Sequence, residues 1–425
     1  MNILMISALD VWSLADGKGA PTLYRTLKAY GERGHHIYFL APTVGANHFG
    51  PPTGPSPEPP HIPNVTFIRF PVPSLRRWPL PLPRLAVKAE QKLRFAAAFP
   101  IIAARRAASL LRRHRIDLLY AYEVHGALAV RRLQRRWRLP TVCRFQGTIM
   151  HPALDDRFSL IRRHEEVLAL RTPADLYIMT NDGTRGDEVL ARLNPHSQGR
   201  VHFWRNGLDL ERLTPAASRQ RAAARSALAI PAGRFVMMTA CVLLPWKRVD
   251  RAVRALPHVL ADLPEALLII LGDGEEKANL ERLARELDLS DAVRFEGAVP
   301  QEEVRRYLWA TDLFLSLNDL SNVGNPLLEA MACAKPIVTL DSGATGELVR
   351  DGETGLLLPS GEPESVARAV LRLAKDARLR RQVGQGAHRF ATANFWTWEE
   401  RLNAELEAVE RLVVKDTAAG GEPSP

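Results

Sequence analysis

Residues 319–339 read Asp-Leu-Ser-Asn-Val-Gly-Asn-Pro-Leu-Leu-Glu-Ala-Met-Ala-Cys-Ala-Lys-Pro-Ile-Val-Thr, and this stretch indicates the fold more clearly than any other. An apolar run at residues 313–317 precedes it and predicts a strand, and a polar loop containing Gly324 follows. A helix is predicted to begin at Asn325-Pro326, because Asn can cap a helix and Pro suits its first position. Residues 336–340 predict a second short strand. The order strand, loop, helix, strand is typical of a parallel α/β sheet.

The start of this helix is a candidate binding site for a phosphate. Backbone N–H groups without helical partners and the positive end of the helix dipole both attract anions there. Glu329 lies one turn into the helix, where its carboxylate can accept hydrogen bonds from the hydroxyls of a sugar diol. The alternative is an ordinary loop-to-helix joint with Glu329 exposed to solvent, since many such joints in α/β sheets bind nothing.

The pattern around Glu329 resembles glycosyltransferase family 4, whose members are retaining enzymes of the GT-B fold that use nucleotide-sugar donors. That family has two Glu residues separated by seven positions, followed by a helix and a strand. Glu329 matches the second Glu, and Gly324, Pro326 and the Glu-Ala-Met-Ala run match in place. The resemblance implies that Glu329 contacts the donor ribose and that the backbone of residues 325–328 stabilises the donor diphosphate. The donor site implied in this way comprises Arg248, Gly272, Asp273, Gly274, Ser321, Asn322, Gly324, Asn325, Leu327, Leu328 and Glu329.

Ser321 is a departure from the family pattern, because it stands where the family has its first Glu. In the family that Glu is implicated in holding the transferred sugar. Asp319 and Asn322 are the two candidates to replace it, and the sequence does not decide between them.

The loop at residues 242–250 resembles the family loop that places an Arg and, five residues later, a Lys on the donor diphosphate. Lys247 matches the Lys and is assigned a catalytic role, whereas Val242 occupies the Arg position. Arg248 is the candidate to supply the missing contact. The alternative for Lys247 is a surface lysine at a helix start. Cations are disfavoured at that end of a helix, so a bound anion explains this lysine better.

The first half of the chain carries a weaker version of the same resemblance. Residues 140–145 predict a strand that ends at Gln146, where the family usually has a His close to the reacting carbon. Gln146 is assigned to the catalytic site, although Gln can only hydrogen-bond a sugar hydroxyl and cannot act as a general base. The loop with Gly17, Lys18 and Gly19 resembles the family's glycine loop under donor and acceptor. Simple turn geometry is the alternative for these two glycines.

Length and composition predict a soluble protein of two domains. The 425 residues exceed one typical core, and the apolar fraction of 46% is ordinary for a globular protein. The three cysteines are far apart and have apolar neighbours, which favours core thiols in a reducing compartment. No apolar run approaches the roughly 18 residues that span a bilayer, and the first strand lacks the basic start of a signal peptide. A cytoplasmic protein is expected, either soluble or peripheral at the inner face of the plasma membrane.

The charge of the chain is unevenly distributed. Residues 1–205 hold 30 Lys and Arg against 15 Asp and Glu, whereas the remainder holds 27 against 32. A difference this large predicts that the first half meets an anionic partner, such as a phosphate-bearing acceptor or an anionic membrane. Nucleic acid is not expected, because no recognised binding module is present. Arginine-rich but merely solvated helix faces are the alternative.

The resemblance implies an α/β protein of the GT-B class, with two Rossmann-like domains facing a cleft, and the length of the chain agrees with two domains. An acceptor-side domain at residues 1–207 and a donor-binding domain at 208–396 are expected. A helix at 397–414 crosses back to the first domain, and a disordered tail occupies 417–425. The predicted function is retaining transfer of a sugar, most readily from a UDP-sugar, to a glycan or lipid-linked acceptor of the cell surface. No cofactor or metal is expected, since no Asp-x-Asp motif occurs. A sugar-nucleotide epimerase, a phosphorylase and a non-catalytic protein of this fold remain the alternatives.

Overall fold

A computed structural model describes residues 1–9, 21–43, 58–73 and 84–419, and the chain divides into two compact units. The first unit comprises Met1–Asn181, Arg185–Trp204 and Glu399–Pro425. The second comprises Arg205–Trp398 together with the three residues Asp182–Thr184. The main change of unit thus falls three residues before the predicted boundary at 207. The short excursion at 182–184 was not predicted.

The first unit is built on a parallel sheet of seven strands in the order β3-β2-β1-β4-β5-β6-β7. The strands are apolar on both faces, as expected for a parallel sheet covered by helices. In β1, for example, Leu4 and Ile6 enter one hydrophobic cluster whereas Ile3 and Met5 enter the other. The strands are β1 Asn2–Ser7, β2 His36–Pro42, β3 Val65–Phe70, β4 Leu118–Tyr122, β5 Thr141–Phe145, β6 Leu176–Thr180 and β7 Val201–Trp204.

Helices connect the strands of the first unit and close its two faces. They are α1 Pro21–Glu32, α2 Arg84–Leu93, α3 Phe99–Arg113, α4 Glu123–Leu133, α5 Arg157–Arg162, α6 His164–Leu170 and α7 Gly186–Leu193. A π-helical segment, Arg94–Ala98, links α2 to α3 without a gap, and Pro100 lies directly after it, in the first turn of α3.

The second unit contains a parallel sheet of six strands in the order β10-β9-β8-β11-β12-β13. Its strands are β8 Phe235–Ala240, β9 Ala266–Leu271, β10 Val293–Gly297, β11 Leu313–Ser316, β12 Ile337–Leu340 and β13 Leu356–Leu358. Strand β13 was not predicted, because three residues are too few to carry a periodic signal.

Helices of the second unit again alternate with its strands. They are α8 Ser218–Ala227, α9 Val249–Leu260, α10 Lys277–Glu286, α11 Gln301–Ala310, α12 Asn325–Ala332, α13 Pro363–Lys375 and α14 Ala377–Asn394. In such a sheet the loops that follow the carboxyl ends of the strands gather at one edge, which is where ligands bind in open α/β folds.

The last helix, α15, spans Trp398–Ala419, and from Glu399 onward it belongs to the first unit. It begins one residue after the predicted start and runs five residues past the predicted end at Val414. The predicted disordered tail is therefore wrong for residues 417–419, and 420–425 lie outside the described residues. Among the helices that the structure describes, none combines the length and hydrophobicity needed to cross a bilayer.

Candidate functional site

The candidate site of the second unit lies at the carboxyl edge of its sheet, where the loop after β8 packs on the loop after β9. A Cβ atom on Gly272 would lie 1.8 Å from the Cys241 carbonyl oxygen, and one on Gly274 would lie 2.4 Å from that of Leu243. Only glycine permits this approach. Asp273 between them is exposed, and its Oδ1 accepts from the Gly274 N–H at 2.7 Å. The two glycines thus have a packing role, and their contact with a donor stays a prediction.

Lys247 ends a 3-10 turn, Pro245–Lys247, directly before α9. Its Nζ lies 4.0 Å from the centroid of the Trp246 ring, a cation–π contact. Within the described part of the chain, the ammonium has no hydrogen-bond or ion-pair partner. Burial lowers the pKa of Lys247 from its ordinary value, and the charge of Asp182 opposes that shift. This lysine is therefore poised to receive an anion.

Arg248 occupies a different environment from its neighbour Lys247. Its backbone is left-handed, with φ of 45°, and its Nε and Nη2 donate to the two carboxylate oxygens of Asp250 at 3.0 and 3.1 Å. Its Nη1 lies 3.4 Å from Asp319, which also pairs with Arg251 at 2.8 Å. Contact of Arg248 with a phosphate stays a prediction, and it requires the guanidinium to leave these carboxylates. Asp319 is likewise engaged and is a poor replacement for the missing Glu.

The Asn322 side chain has a structural role in the loop after β11, and the predicted contact of this residue with the donor stays a prediction. Its side chain is fully buried. Its Oδ1 accepts from the Ser316 hydroxyl and the Asn318 N–H, each at 2.8 Å, and its Nδ2 donates to the Ser342 hydroxyl at 2.9 Å. The amide is consumed by the loop itself, so it cannot replace the missing Glu.

Helix α12 begins at Asn325, as predicted, but its capping differs from the prediction. Gly324, not Asn325, is the N-cap residue, and no side chain caps the helix. The Asn325 Oδ1 instead accepts from Asn206 Nδ2 at 3.2 Å. The N–H groups of Leu327 and Leu328 already donate to the Gly324 carbonyl at 3.0 and 3.2 Å. Pro326 has no N–H, so the predicted row of backbone donors at residues 325–328 is reduced to Asn325.

Glu329 is buried, with 5% of its surface exposed, which excludes the interpretation of a solvated helix residue. Its Oε1 accepts from Gln301 Nε2 at 2.5 Å. Gln301 is the first residue of α11, and this partner could not be predicted from the sequence because the two residues are separated by 28 positions. A buried carboxylate that is oriented by an amide can accept hydroxyl hydrogen bonds at a fixed position.

Asp182 is a candidate site residue that the sequence analysis missed. Its carboxylate is largely buried, and that burial raises its pKa to about 6. Lys247 is the positive group that acts against this shift. The residue follows β6 by two positions and begins the excursion into the second unit. An acidic residue directly after a parallel strand was the available signal.

The candidate site of the first unit lies at the carboxyl ends of β4, β5 and β6. Gln146 Nε2 donates to the Tyr122 hydroxyl at 2.8 Å, and its Oε1 accepts from the Thr180 hydroxyl at 3.4 Å. The Gln146 backbone N–H donates to Glu123 Oε1 at 2.8 Å. Glu123 has a φ of 67°, a left-handed conformation that strains a residue other than glycine. The Gln146 amide is thus fixed in orientation, and its contact with substrate stays a prediction. The loop with Gly17, Lys18 and Gly19 lies outside the described residues.

Comparison with known proteins identifies the second unit. Residues 220–390 match the model of the family described as "Glycosyl transferases group 1". This match covers less than half of the chain, and it shows that this region is similar to the family. The match falls on the unit that carries Lys247 and Glu329, as the sequence resemblance implied.

Curated glycosyltransferases are similar to this chain over part of their length. The lipopolysaccharide core biosynthesis glycosyltransferase LpsE of Rhizobium meliloti is 35% identical over 145 residues, or 34% of this chain and 42% of the relative. A GDP-mannose-dependent phosphatidylinositol monomannoside mannosyltransferase of Corynebacterium glutamicum is 30% identical over 216 residues, or 48% and 56%. The chain spans about half the length of the curated relatives it matches.

Among solved structures, sucrose-phosphate synthase of Thermosynechococcus elongatus aligns with a TM-score of 0.71 over 97% of this chain and 99% of that chain. At 21% identity the likeness concerns the fold. It confirms the predicted GT-B class of two parallel α/β domains with a helical C-terminus.

Proposed function

We propose that this chain is a group 1 glycosyl transferase and a retaining enzyme of family 4, which moves a sugar from a nucleoside-diphosphate sugar to a glycan or lipid-linked acceptor. The observation that carries the proposal is Lys247, a partly buried ammonium without an anionic hydrogen-bond partner among the described residues. It lies at the edge of a parallel sheet where α/β folds bind ligands. A donor diphosphate supplies the charge that it lacks.

The proposed reaction breaks the bond between the anomeric carbon of the sugar and the diphosphate oxygen, and it forms a bond from the acceptor oxygen to that carbon. The acceptor proton passes to the released diphosphate or to solvent. Negative charge develops on the leaving diphosphate, so a positive group fixed beside it lowers the barrier. Lys247 serves this role, with the Asn325 N–H as a second donor. Glu329, oriented by Gln301, holds the donor ribose.

The donor is proposed to be a UDP-sugar, as the sequence suggested. GDP-mannose is the second candidate, because the Corynebacterium relative depends on it by name. The proposed acceptor class also rests on the names of the relatives. The names of the relatives refer to lipopolysaccharide core synthesis and to a phosphatidylinositol mannoside, which favours transfer to a cell-surface acceptor over epimerisation or phosphorolysis.

A screen of the purified chain against nucleotide sugars tests the proposal. We expect UDP-sugars, or else GDP-mannose, to raise the melting temperature, and a matching acceptor to release the nucleoside diphosphate. Turnover should be unchanged in EDTA, since no metal ion is proposed to take part. Stabilisation by nucleotide without any release, for every acceptor class offered, would instead support a non-catalytic protein of this fold.

The first unit is proposed to contact an anionic membrane. Most of the large apolar side chains that are exposed in the described part of the chain belong to it, and three of them are Leu93, Phe158 and Ile161, exposed by 59, 78 and 68%. Phe158 and Ile161 are three residues apart in α5 and so share one face. The Lys92 ammonium donates to the Arg162 carbonyl, which places Leu93 near this face. Apolar groups among arginines and lysines are typical of an interfacial surface.

Full-length protein should sediment with anionic liposomes at low salt and be released at high salt. The Debye length of about 8 Å at physiological salt makes attraction by solvent-exposed arginines sensitive to ionic strength. Phe158→Ser with Ile161→Ser should weaken sedimentation at low salt. Equal binding to neutral and anionic liposomes, or none to either, would contradict the proposed contact and favour a soluble acceptor.

A further inference from the structure

The excursion Asp182–Thr184 is fixed firmly to the remainder of the second unit. The Ser321 hydroxyl donates to the Asp182 carbonyl at 2.7 Å, and the Ala344 N–H donates to the Gly183 carbonyl at 2.9 Å. A Cβ atom on Gly343 would lie 2.3 Å from the Gly183 carbonyl oxygen. This close backbone approach requires glycine at 343, where φ is also positive, so the position of the excursion is strongly specified.

Ser321 is occupied by this contact, although it stands at the position of the family's first Glu. A Cβ atom on Gly183 would lie only 2.2 Å from the Ser321 hydroxyl oxygen, so Gly183 fills the space next to that side chain. The Val323 N–H also donates to this hydroxyl, at 3.2 Å. The loop after β11 therefore presents no free carboxylate or amide from the two earlier candidates, Asp319 and Asn322.

The Asp182 carboxylate and the Lys247 ammonium are close enough for the charge of each to shift the pKa of the other. Its Oδ1 accepts from the Thr184 N–H at 3.1 Å and from the Thr184 hydroxyl at 2.5 Å. These bonds orient the group, while burial and the Lys247 charge act on its ionisation in opposite directions. A carboxylate has about four acceptor positions, so the Asp182 carboxylate can accept further hydrogen bonds besides the two from Thr184.

We propose that Asp182 supplies the carboxylate that the family takes from the position of Ser321, and that it binds hydroxyls of the sugar being transferred. This inference rests on the proposed function, because it places Asp182 at the sugar and Lys247 at the diphosphate of one donor. The carboxylate thus comes from the segment after β6 and reaches the site because Ser321 and Ala344 hold that segment in the second unit.

The proposal predicts that a change at Asp182 alters the affinity for a nucleotide sugar but not the affinity for the nucleoside diphosphate alone. A nucleoside diphosphate offers the diphosphate to Lys247 but has no sugar for Asp182, whereas the nucleotide sugar offers both. Asp182→Asn keeps the size of the side chain and an oxygen that accepts from Thr184, but it loses the charge. Hydrogen bonds to a charged group are stronger than neutral ones, so nucleotide-sugar affinity should fall about 10- to 100-fold. Affinity for the nucleoside diphosphate alone should not fall.

Calorimetric titration of the full chain with UDP, UDP-glucose, GDP and GDP-mannose tests this difference. Asp319→Asn is the matched control, since it makes the same chemical change at the rejected candidate and should preserve the preference for the nucleotide sugar. The melting temperature of Asp182→Asn should be unchanged or higher, because burial disfavours the charged carboxylate. If the melting temperature of Asp182→Asn falls, the Asp182→Glu variant, which keeps the charge, is tested as well. That variant must then retain the preference for the nucleotide sugar over the nucleoside diphosphate.

Three results would overturn the inference. Equal losses for the nucleoside diphosphate and its sugar would make Asp182 only a counter-ion of Lys247. No loss at all would remove it from the site, and a selective loss in Asp319→Asn instead would restore the other candidate. Failure of the unaltered protein to bind any of the four nucleotides is a different outcome, because it would reject the proposed function and the inference with it.

Discussion

Replacing Lys247 by Ala is expected to slow sugar transfer by about 10²–10³-fold, the usual effect of removing one preorganised charge stabiliser from a transition state. The lysine is held over the Trp246 ring and has no competing acceptor among the described residues, so little reorganisation precedes its contact with the diphosphate. The loss should appear mainly in kcat, because charge on the leaving diphosphate grows as the bond breaks.

Initial rates with a saturating donor, together with thermal melting, measure this effect. Burial lowers the pKa of Lys247, which means that the folded state carries its positive charge at a cost, so Lys247→Ala should melt at the same temperature or higher. Lys375→Ala is the matched control, since that lysine forms an exposed ion pair with Asp262. Turnover of Lys247→Ala within a factor of two of the control would remove Lys247 from the mechanism.

The elements that the sequence predicted best are those decided by local pattern. The strands predicted at residues 140–145, 313–317 and 336–340 are observed as Thr141–Phe145, Leu313–Ser316 and Ile337–Leu340, since a short apolar run in a parallel sheet is a strong local signal. Lys247 and Glu329 were assigned because the segments around them resemble two motifs of glycosyltransferase family 4. Their surroundings were not predicted, as the Trp246 ring and the Gln301 amide show.

The elements that the sequence could not predict depend on contacts between distant positions. Asn322 looks like a donor ligand in a polar loop, and only the positions of Ser316 and Ser342 show that its amide faces inward. Asp182 looks like a turn residue, and only the hydrogen bond from Ser321, 139 positions away, places it in the second unit. Such placements are decided by tertiary packing, which overrides local preference.

Replacing Glu405 of α15 is expected to cause a large loss of folding stability. This residue lies fully buried in the first unit. Its Oε1 accepts from the Tyr120 hydroxyl at 2.6 Å and from Arg144 Nη1 at 3.1 Å. Its Oε2 accepts from Arg401 Nη1 at 2.9 Å. Burial opposes the ionisation of Glu405, but the two arginines outweigh it and hold the pKa of the carboxyl below its usual range. One carboxylate thus neutralises two buried guanidinium groups only in part.

Glu405→Gln should therefore destabilise the first unit by about 3–5 kcal/mol, the cost of leaving a buried charge without its partner. The cost is high here because Arg144 already has two buried nitrogens, Nε and Nη2, without an acceptor among the described residues. Glu407→Gln is the matched control, since Glu407 lies in the same helix but is exposed. Urea unfolding of both variants at pH 7 measures the difference.

The pH dependence distinguishes this ion cluster from simple packing. Because the pKa of Glu405 is lower in the folded than in the unfolded state, its stabilisation is present above the unfolded pKa, near 4.3 for Glu. That stabilisation is lost as the pH falls toward the folded value, so the gap between the unaltered protein and Glu405→Gln should narrow below about pH 4. A gap of constant size down to the acid limit would mean that Glu405 acts through its shape, and that the two arginines are stabilised by other groups.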